Sequence, residues 1–377
     1  MTSGLHLELV EQVRKFCIKN IEPTAEKDDG ESKFNMDIYR GLGELGVCGI
    51  VLPEKYGGAG LGYSELIVVL EEIAKFSASY AVTLSVSTMV QSMIDTYGSE
   101  EQKQKYLPEL TSGKEIGAFS LSEAGSGSDA ASLRTKATLK GEDYILNGSK
   151  MWVTSGGVAK TYVVMARSGA DGPKGVSSFI VQNGQSGFEF GKLESKMGLK
   201  ASPTRELIFE NCKIPKSNIL GSQGLGFNIA MSALDRGRFT IASIATGLAK
   251  RSLDEAVKYS LTRKQFNQPI FEFQGLQFMM ADMACEITAS ELLVQKAATN
   301  FDAGINDQKI AAMAKLKATD TAMSVTTDAV QIMGGVGYTS EFPLERFMRD
   351  AKVLQIVEGT NQIQRVVISR MLKKEYS

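Results

Sequence analysis

Residues 350–364 read DAKVLQIVEGTNQIQ, and the sequence of apolar, acidic, glycine and hydroxyl residues there decides how the rest of the chain is read. One carboxylate, Glu358, follows the apolar residues Val353, Leu354, Ile356 and Val357 and is followed at once by Gly359 and Thr360. Apolar neighbours strip water from a carboxylate and raise its proton affinity, which is what a buried general base requires. Gly359 permits a backbone turn that a side chain resists, and Thr360 is placed to cap a helix marked by Ile363, Val366, Val367 and Met371. A helix start is also a site for phosphate. The same residues equally describe a surface glutamate in a helix-to-helix turn.

Working outward, helical periodicity runs from Gly226 to the end, over Phe227–Leu261, Gln274–Phe301, Ile310–Met333 and Asn361–Leu372. Four long helices with short links predict a bundle. From Phe119 to about Pro215 the chain instead carries strand-like runs, YILNG, KMWVTS, TYVVMAR, VSSFIVQ and RELIFENCKI, separated by Gly, Asn and Asp. Asn147-Gly148 between two of these runs predicts a hairpin. Residues up to about Gly117 are helical again, with Leu9, Val13, Phe16 and Cys17 at helical spacing; Pro53–Gly62 reads as a connection and Tyr80–Met93 as a buried helix or pocket wall. Three domains are therefore expected, over residues 1–117, 118–225 and 226–377.

Composition narrows the function classes. The 377 residues hold 42 Lys plus Arg against 43 Asp plus Glu, a formal net charge of −1 that offers no electrostatic footprint for nucleic acid. The N-terminal stretch MTSGLHLELVEQVRKF interleaves charges with apolar residues, so no signal peptide is expected, and no run is apolar enough for a membrane span. Cys17, Cys48, Cys212 and Cys285 form no CxxC pair, which fits free thiols in a reducing compartment, with the cytoplasm as the expected location. The single histidine, His6, disfavours His triads and His-rich metal sites, and no metal centre is expected. Proton chemistry then falls to Glu or Asp, and redox chemistry needs a cofactor.

Five further stretches carry chemistry-bearing residues. FSLSEAGSGSDAAS (119–132) combines hydroxyls at Ser120, Ser122, Ser126 and Ser128 with Gly125 and Gly127, suited to a heterocycle or phosphate, or to a linker. KMWVTSGG (150–157) holds the only tryptophan, Trp152, two residues before Thr154; in a strand the pair shares one face, as a flavin needs or as an ordinary core allows. LDRGRF (234–239), opening a long helix, places Asp235 and Arg238 within ion-pair reach, or turns Arg238 inward toward an anion. SLTRKQFNQPIFEFQ (260–274) and QIMGGVGYTSEFPLERFMRD (331–350) read as a solvated basic surface and a helix stop, or as places where another chain or a ligand approaches.

Taken in order, these stretches resemble the acyl-CoA dehydrogenase family of flavoenzymes over essentially the whole chain. The resemblance rests on Q-x2-G-G-x-G-Y-x2-E-x4-R-x3-D from Gln331 to Asp350, on L-S-E-x2-S-G-S-D from Leu121 to Asp129, and on WVTSG and EGTNQIQ. It implies a multidomain α and β protein with an N-terminal helical domain, a central β-barrel and a C-terminal four-helix bundle, and FAD held between subunits of a homotetramer. By that resemblance Phe119, Leu121 and Ser122 lie along the flavin, Trp152 and Thr154 lie against its ring, and Ser128 touches the CoA moiety. Arg263, Gln265, Phe273, Gln274, Gln331 and Gly335 reach the dinucleotide of a neighbouring subunit, with Thr360 and Gln362 at its pyrophosphate and adenosine. Asp235, Arg238 and Gly359 border the substrate.

The implied reaction is removal of the acyl-CoA α-proton by Glu358 as the β-hydride passes to flavin N5, giving a trans-2-enoyl-CoA, with electrons passed on to an electron-transfer flavoprotein. Isovaleryl-CoA and long-chain members carry their base at the position of Gly237, which disfavours those subfamilies here. Val357 stands where straight-chain members commonly have Tyr; with SGSDAASL and PTR it resembles isobutyryl-CoA dehydrogenase and implies short or branched acyl chains. Ala124 and Ser120 also depart from the usual residues. The competing expectations are a straight-chain dehydrogenase, an acyl-CoA oxidase, and a nucleic-acid-associated alkylation-response flavoprotein, the last opposed by the net charge and by Glu358 itself.

Overall fold

The computed structural model describes residues 4–377, and the chain passes from helices to strands and back to helices. Met1 to Ser3, part of the stretch read as free of a signal peptide, lie outside the described residues. The first layer is α1 (Gly4–Asn20), α2 (Ala25–Gly30), α3 (Met36–Glu44), α4 (Tyr63–Ala74), α5 (Ala78–Tyr97) and α6 (Glu100–Thr111). Helix α5 is buried from Ala78 to Ile94, so Tyr80–Met93 is core. Some of its interleaved hydroxyls are satisfied inside the core, Thr83 donating to the Ser79 carbonyl at 3.0 Å and Ser85 to Thr240 at 2.8 Å, while that of Thr88 has no partner. The glycine-rich 53–62 segment is a tight connection, with Gly60 N–H on the Leu52 carbonyl and Leu61 N–H on that of Ile50.

The middle layer holds β1 (Gly117–Ser120), β2 (Lys136–Lys140), β3 (Asp143–Thr154), β4 (Thr161–Arg167), β5 (Val176–Gln182), β6 (Phe188–Leu193), β7 (Thr204–Pro215) and β8 (Ile219–Leu220). The strand order is β6-β7-β3-β2-β4-β5-β8, with β1 added parallel to β4. The expected barrel is corrected here: the sheet is open, with β6 and β8 as unpaired edges. The halves meet only where β2 touches β4 at Lys136 and Arg167, and β8 is 2 residues long. The sheet instead folds over on aromatic contacts, Tyr144 on Phe179 at 4.9 Å and Tyr162 on Phe188 at 5.1 Å. The hairpin expected at Asn147-Gly148 is also corrected. Strand β3 runs through both residues, and the turn lies between Lys140 and Asp143. At Gly148 the register against β7 shifts, and a Cβ there would meet the Thr135 Cα at 2.8 Å.

The last layer comprises α7 (Gly226–Thr262), the short pair β9 (Lys264–Gln265) and β10 (Gln268–Pro269), then α8 (Gln274–Asp302), α9 (Gln308–Met333), α10 (Leu344–Leu354) and α11 (Asn361–Glu375). The four long helices match the expected segments, but LDRGRF lies inside α7 rather than opening it, and α10 was not foreseen. Helix α10 buries Leu344, Phe347, Ala351 and Leu354, a helical spacing masked in the sequence by the glycines and proline before it. Helix α7 packs on α4, α5, α8 and α9, and so brings the N-terminal helices and the C-terminal bundle onto one axis. The four cysteines are free, and no helix among the described residues is long and apolar enough to cross a membrane.

Candidate active site

Glu358 lies in the link between α10 and α11, and the backbone there is unusual. Its φ is +54° and that of Gly359 is +87°, so two consecutive residues are left-handed, of which only the glycine adopts that conformation without steric cost. The freedom read onto Gly359 from sequence therefore covers half of the turn. The surroundings hold the rest. The Lys315 ammonium, from α9, donates to the Gly359 carbonyl at 3.0 Å and to Asn361 Oδ1 at 2.8 Å. Gln364 Nε2 donates to the carbonyls of Glu358 and Gly359, at 3.2 Å and 2.9 Å. Asn361 Nδ2 reaches Asp320 at 2.6 Å, and the Thr360 hydroxyl accepts from the Ile363 N–H at 3.3 Å, capping α11 as its sequence position suggests.

The carboxylate points at helix α7. A Cβ on Gly237 would lie 2.5 Å from Glu358 Oε2, so glycine leaves the space that the carboxylate fills. Glu358 as a residue keeps some exposure, but Oε2 is shielded and has no hydrogen-bond partner. Burial pushes its proton affinity up to about 7, against the opposing fields of Lys315 and Arg238. Burial likewise draws the Lys315 ammonium down to about 7. Arg238 is buried and pairs with Asp235 at 2.7 Å, while Gln308 Nε2 holds the other Asp235 oxygen at 2.8 Å. The ion pair and the inward-facing arginine thus coexist. Arg238 Nε is a further buried polar atom without a partner, so unsatisfied polar atoms gather beside the carboxylate.

The loop after β1 meets strand β3. Phe119 ends up half-buried in β1, Leu121 is buried, Ser122 is half-buried and Ser128 is exposed. Met151 N–H bonds to the Ser122 carbonyl at 2.8 Å, and Lys150, fully buried, donates to the Leu121 carbonyl at 3.0 Å and pairs with Glu123 at 2.7 Å. The register of β3 against β7 slips between Lys150 and Val153, and Trp152 takes a φ of +61°. Strict alternation fails there, yet Lys150 and Val153 are the buried pair while Trp152, 60% exposed, and half-buried Thr154 are left outside the core.

Arg263, Gln265, Gln274, Gln331 and Gly335 are exposed, Phe273 is half-buried, and Gln362 is exposed on the first turn of α11. Among the described residues none of these hydrogen-bonds to the Glu358 turn, and Arg263 forms no ion pair. Phe273 instead touches Phe266, itself 88% exposed, at a ring distance of 6.1 Å. The chain alone therefore does not bring this set to Glu358.

An isoalloxazine requires an apolar plane beside hydrogen-bonding groups, and a dinucleotide requires cations and amides. Trp152, Phe119, Thr154 and Ser122 supply the first set, and unpaired Arg263 with Gln265 and Gln274 the second, so the residues fit FAD. Sequence reading missed Lys315, Gln364, Asn361 and the Lys150–Glu123 pair. Lys315 had one detectable signal: in AAMAKLKATD it occupies the face marked by Ala311, Ala314 and Ala318, where an apolar residue is expected.

Comparison with known proteins agrees with this geometry. The acyl-CoA dehydrogenase N-terminal, middle and C-terminal domain descriptions match residues 4–114, 118–212 and 224–373. A short-chain specific acyl-CoA dehydrogenase of Clostridium acetobutylicum is 45% identical over 96% of each chain. The mitochondrial isobutyryl-CoA dehydrogenase of Dictyostelium discoideum is 44% identical over 96% of this chain and 87% of its own. A solved structure from work on the electron transferring flavoprotein of Acidaminococcus fermentans and flavin-based electron bifurcation superposes with a TM-score of 0.96 at 47% identity, over 98% of each chain. The chain belongs to the acyl-CoA dehydrogenase family, FAD-dependent oxidoreductases acting on the CH–CH group of acyl-CoA thioesters.

Proposed function

We propose that this acyl-CoA dehydrogenase oxidises a short or branched acyl-CoA to its trans-2-enoyl-CoA, as a homotetramer that passes electrons to an electron-transfer flavoprotein. The observation that carries the reading is the shielded, unpartnered Oε2 of Glu358, raised in proton affinity and seated against Gly237. Glu358 takes the α-proton at that oxygen. Its own backbone N–H makes no hydrogen bond among the described residues and would polarise the thioester carbonyl, favouring charge that develops on oxygen. Arg238 and Asp235 border the substrate, and Trp152, Thr154, Phe119, Leu121 and Ser122 hold the flavin, with Ser128 toward CoA. FAD, when bound, accepts the β-hydride. Gln265, Phe273, Gln274, Gln331, Gly335, Thr360 and Gln362, with Arg263, are assigned to a dinucleotide shared with a neighbouring chain, which accounts for the exposure of all of them but Phe273 and Thr360.

Short or branched substrates are supported by Val357 beside the base and by the short-chain and isobutyryl relatives. The test is anaerobic flavin bleaching by butyryl-, isobutyryl-, 2-methylbutyryl-, isovaleryl- and octanoyl-CoA. Highest kcat/KM on octanoyl-CoA removes the short or branched assignment. Glu358→Gln should keep FAD and lose at least ~100-fold in turnover, the usual range for a missing general base; full activity in that variant removes the base.

A further inference from the structure

Lys315 is fully buried, and its ammonium has no carboxylate within ion-pair distance among the described residues. Its acceptors are neutral, the Gly359 carbonyl and Asn361 Oδ1. A buried ammonium is costly unless a counter-charge faces it. The charged groups around it are Glu358 on the turn, Arg238 on α7 with its partner Asp235, and Asp320 on α9 with Arg365 from α11. Asp320 is already engaged, accepting from Asn361 at 2.6 Å, Gln355 at 2.7 Å and Arg365 at 3.4 Å. Arg238 likewise has Asp235. Glu358 is the anion left without a partner.

We infer that Lys315 is a positioning residue for Glu358, fixing the left-handed turn through the Gly359 carbonyl and supplying the positive charge that faces the carboxylate across it. The inference rests on the reading of Glu358 as the base. The mechanical part follows from the bonds: Lys315 and Gln364 both donate to the carbonyl directly after the base, so the Glu358–Gly359 pair cannot relax to ordinary helix geometry without breaking both. The electrostatic part follows from charge: while Lys315 is protonated its ammonium favours the ionised carboxylate and opposes the burial that favours the protonated one, so the two groups titrate as a pair.

The test uses the holoenzyme with Lys315→Met, Lys315→Arg and Glu358→Gln. Lys315→Met should move the midpoint of the pH profile of kcat/KM upward by about one unit or more, so activity at pH 6.5 falls about tenfold or more and recovers in alkali. Lys315→Arg should keep the midpoint close to that of the parent protein. The carboxyl infrared band deleted by Glu358→Gln should titrate upward in Lys315→Met by the same amount, a readout independent of turnover. An unmoved band in folded Lys315→Met, or an equal shift in Lys315→Arg, overturns the inference. If Glu358→Gln stays active, the base reading fails while the infrared titration still tests Lys315. If Lys315→Met does not fold, Lys315→Gln, which carries no charge but can still donate to the Gly359 carbonyl, takes its place: it should show the same upward shift of the band, and an unmoved band there overturns the inference.

Discussion

At Glu358 the protein accepts a left-handed side-chain residue and a partly desolvated carboxylate together, and the proposed gain is a proton acceptor working near neutrality. A base raised to about 7 is ionised only above that pH, so kcat/KM should rise with pH and be about tenfold below its plateau at pH 6. Gly237 sharpens the test. Replacing it with alanine places a methyl 2.5 Å from Oε2, and the carboxylate, being the flexible end of its side chain, moves away. Alanine in mid-helix is favoured over glycine by roughly 1 kcal/mol, so Gly237→Ala should hold or raise Tm. It should also lose about 10- to 100-fold in kcat/KM, because a reacting group displaced by about an ångström is badly aimed. An unchanged rate and pH midpoint would show that the carboxylate is not seated on α7.

At the scale of elements, the loop carrying Leu121 and Ser122 is held to β3 by Lys150, buried between the Leu121 carbonyl and Glu123. The partners share the cost unequally. Burial pushes Glu123 up, but its pair with Lys150 and the N–H groups of Arg134 and Thr135 outweigh it and leave the carboxyl below its usual range. Burial draws Lys150 down to about 8, and with no N–H network to compensate, the cost of the pair sits on the lysine. Lys150→Met leaves a partly buried carboxylate without its cation, which should cost about 3 kcal/mol in urea unfolding at pH 7, the low end for such a loss because Glu123 retains some solvent. It should also weaken FAD retention by loosening the loop; a loss under about 0.5 kcal/mol would mean the pair behaves as a surface contact. This clamp shows where the sequence was legible. Helical and strand periodicities and the order of motifs placed the layers, Thr360 and the Asp235–Arg238 pair, because those depend on neighbours in the chain. The open sheet, the β3 bulge that turns Trp152 out, and Lys315 depend on pairings between distant segments, and a lysine among alanines gives no sign of which carbonyl it will meet.

The whole molecule presents a division: the proposed base and its charged neighbours lie together within one chain, whereas most of the proposed dinucleotide residues stand on its surface. Phe266 and Tyr338 are 88% and 83% exposed, an arrangement a solitary chain has little use for and a neighbouring chain would cover. Arg263 discriminates between these cases because it caps α7, lies exposed and has no ion pair among the described residues, so its loss removes nothing the fold depends on. Arg263→Ala should therefore leave the thermal unfolding of the apoprotein within about 2 °C of its parent, since surface substitutions of this kind rarely cost more than ~0.5 kcal/mol. In the holoenzyme, if Arg263 reaches the dinucleotide as proposed, the same change removes a charge-assisted contact, which should weaken FAD binding about tenfold or more. Flavin per chain after gel filtration, read beside sedimentation velocity, separates the effects: flavin lost together with a weakened oligomer, the proposed tetramer, places Arg263 at a cofactor shared between chains. Full flavin retention with unchanged sedimentation would confine the cofactor to the residues around Trp152 and remove the proposed role of residues 263–274.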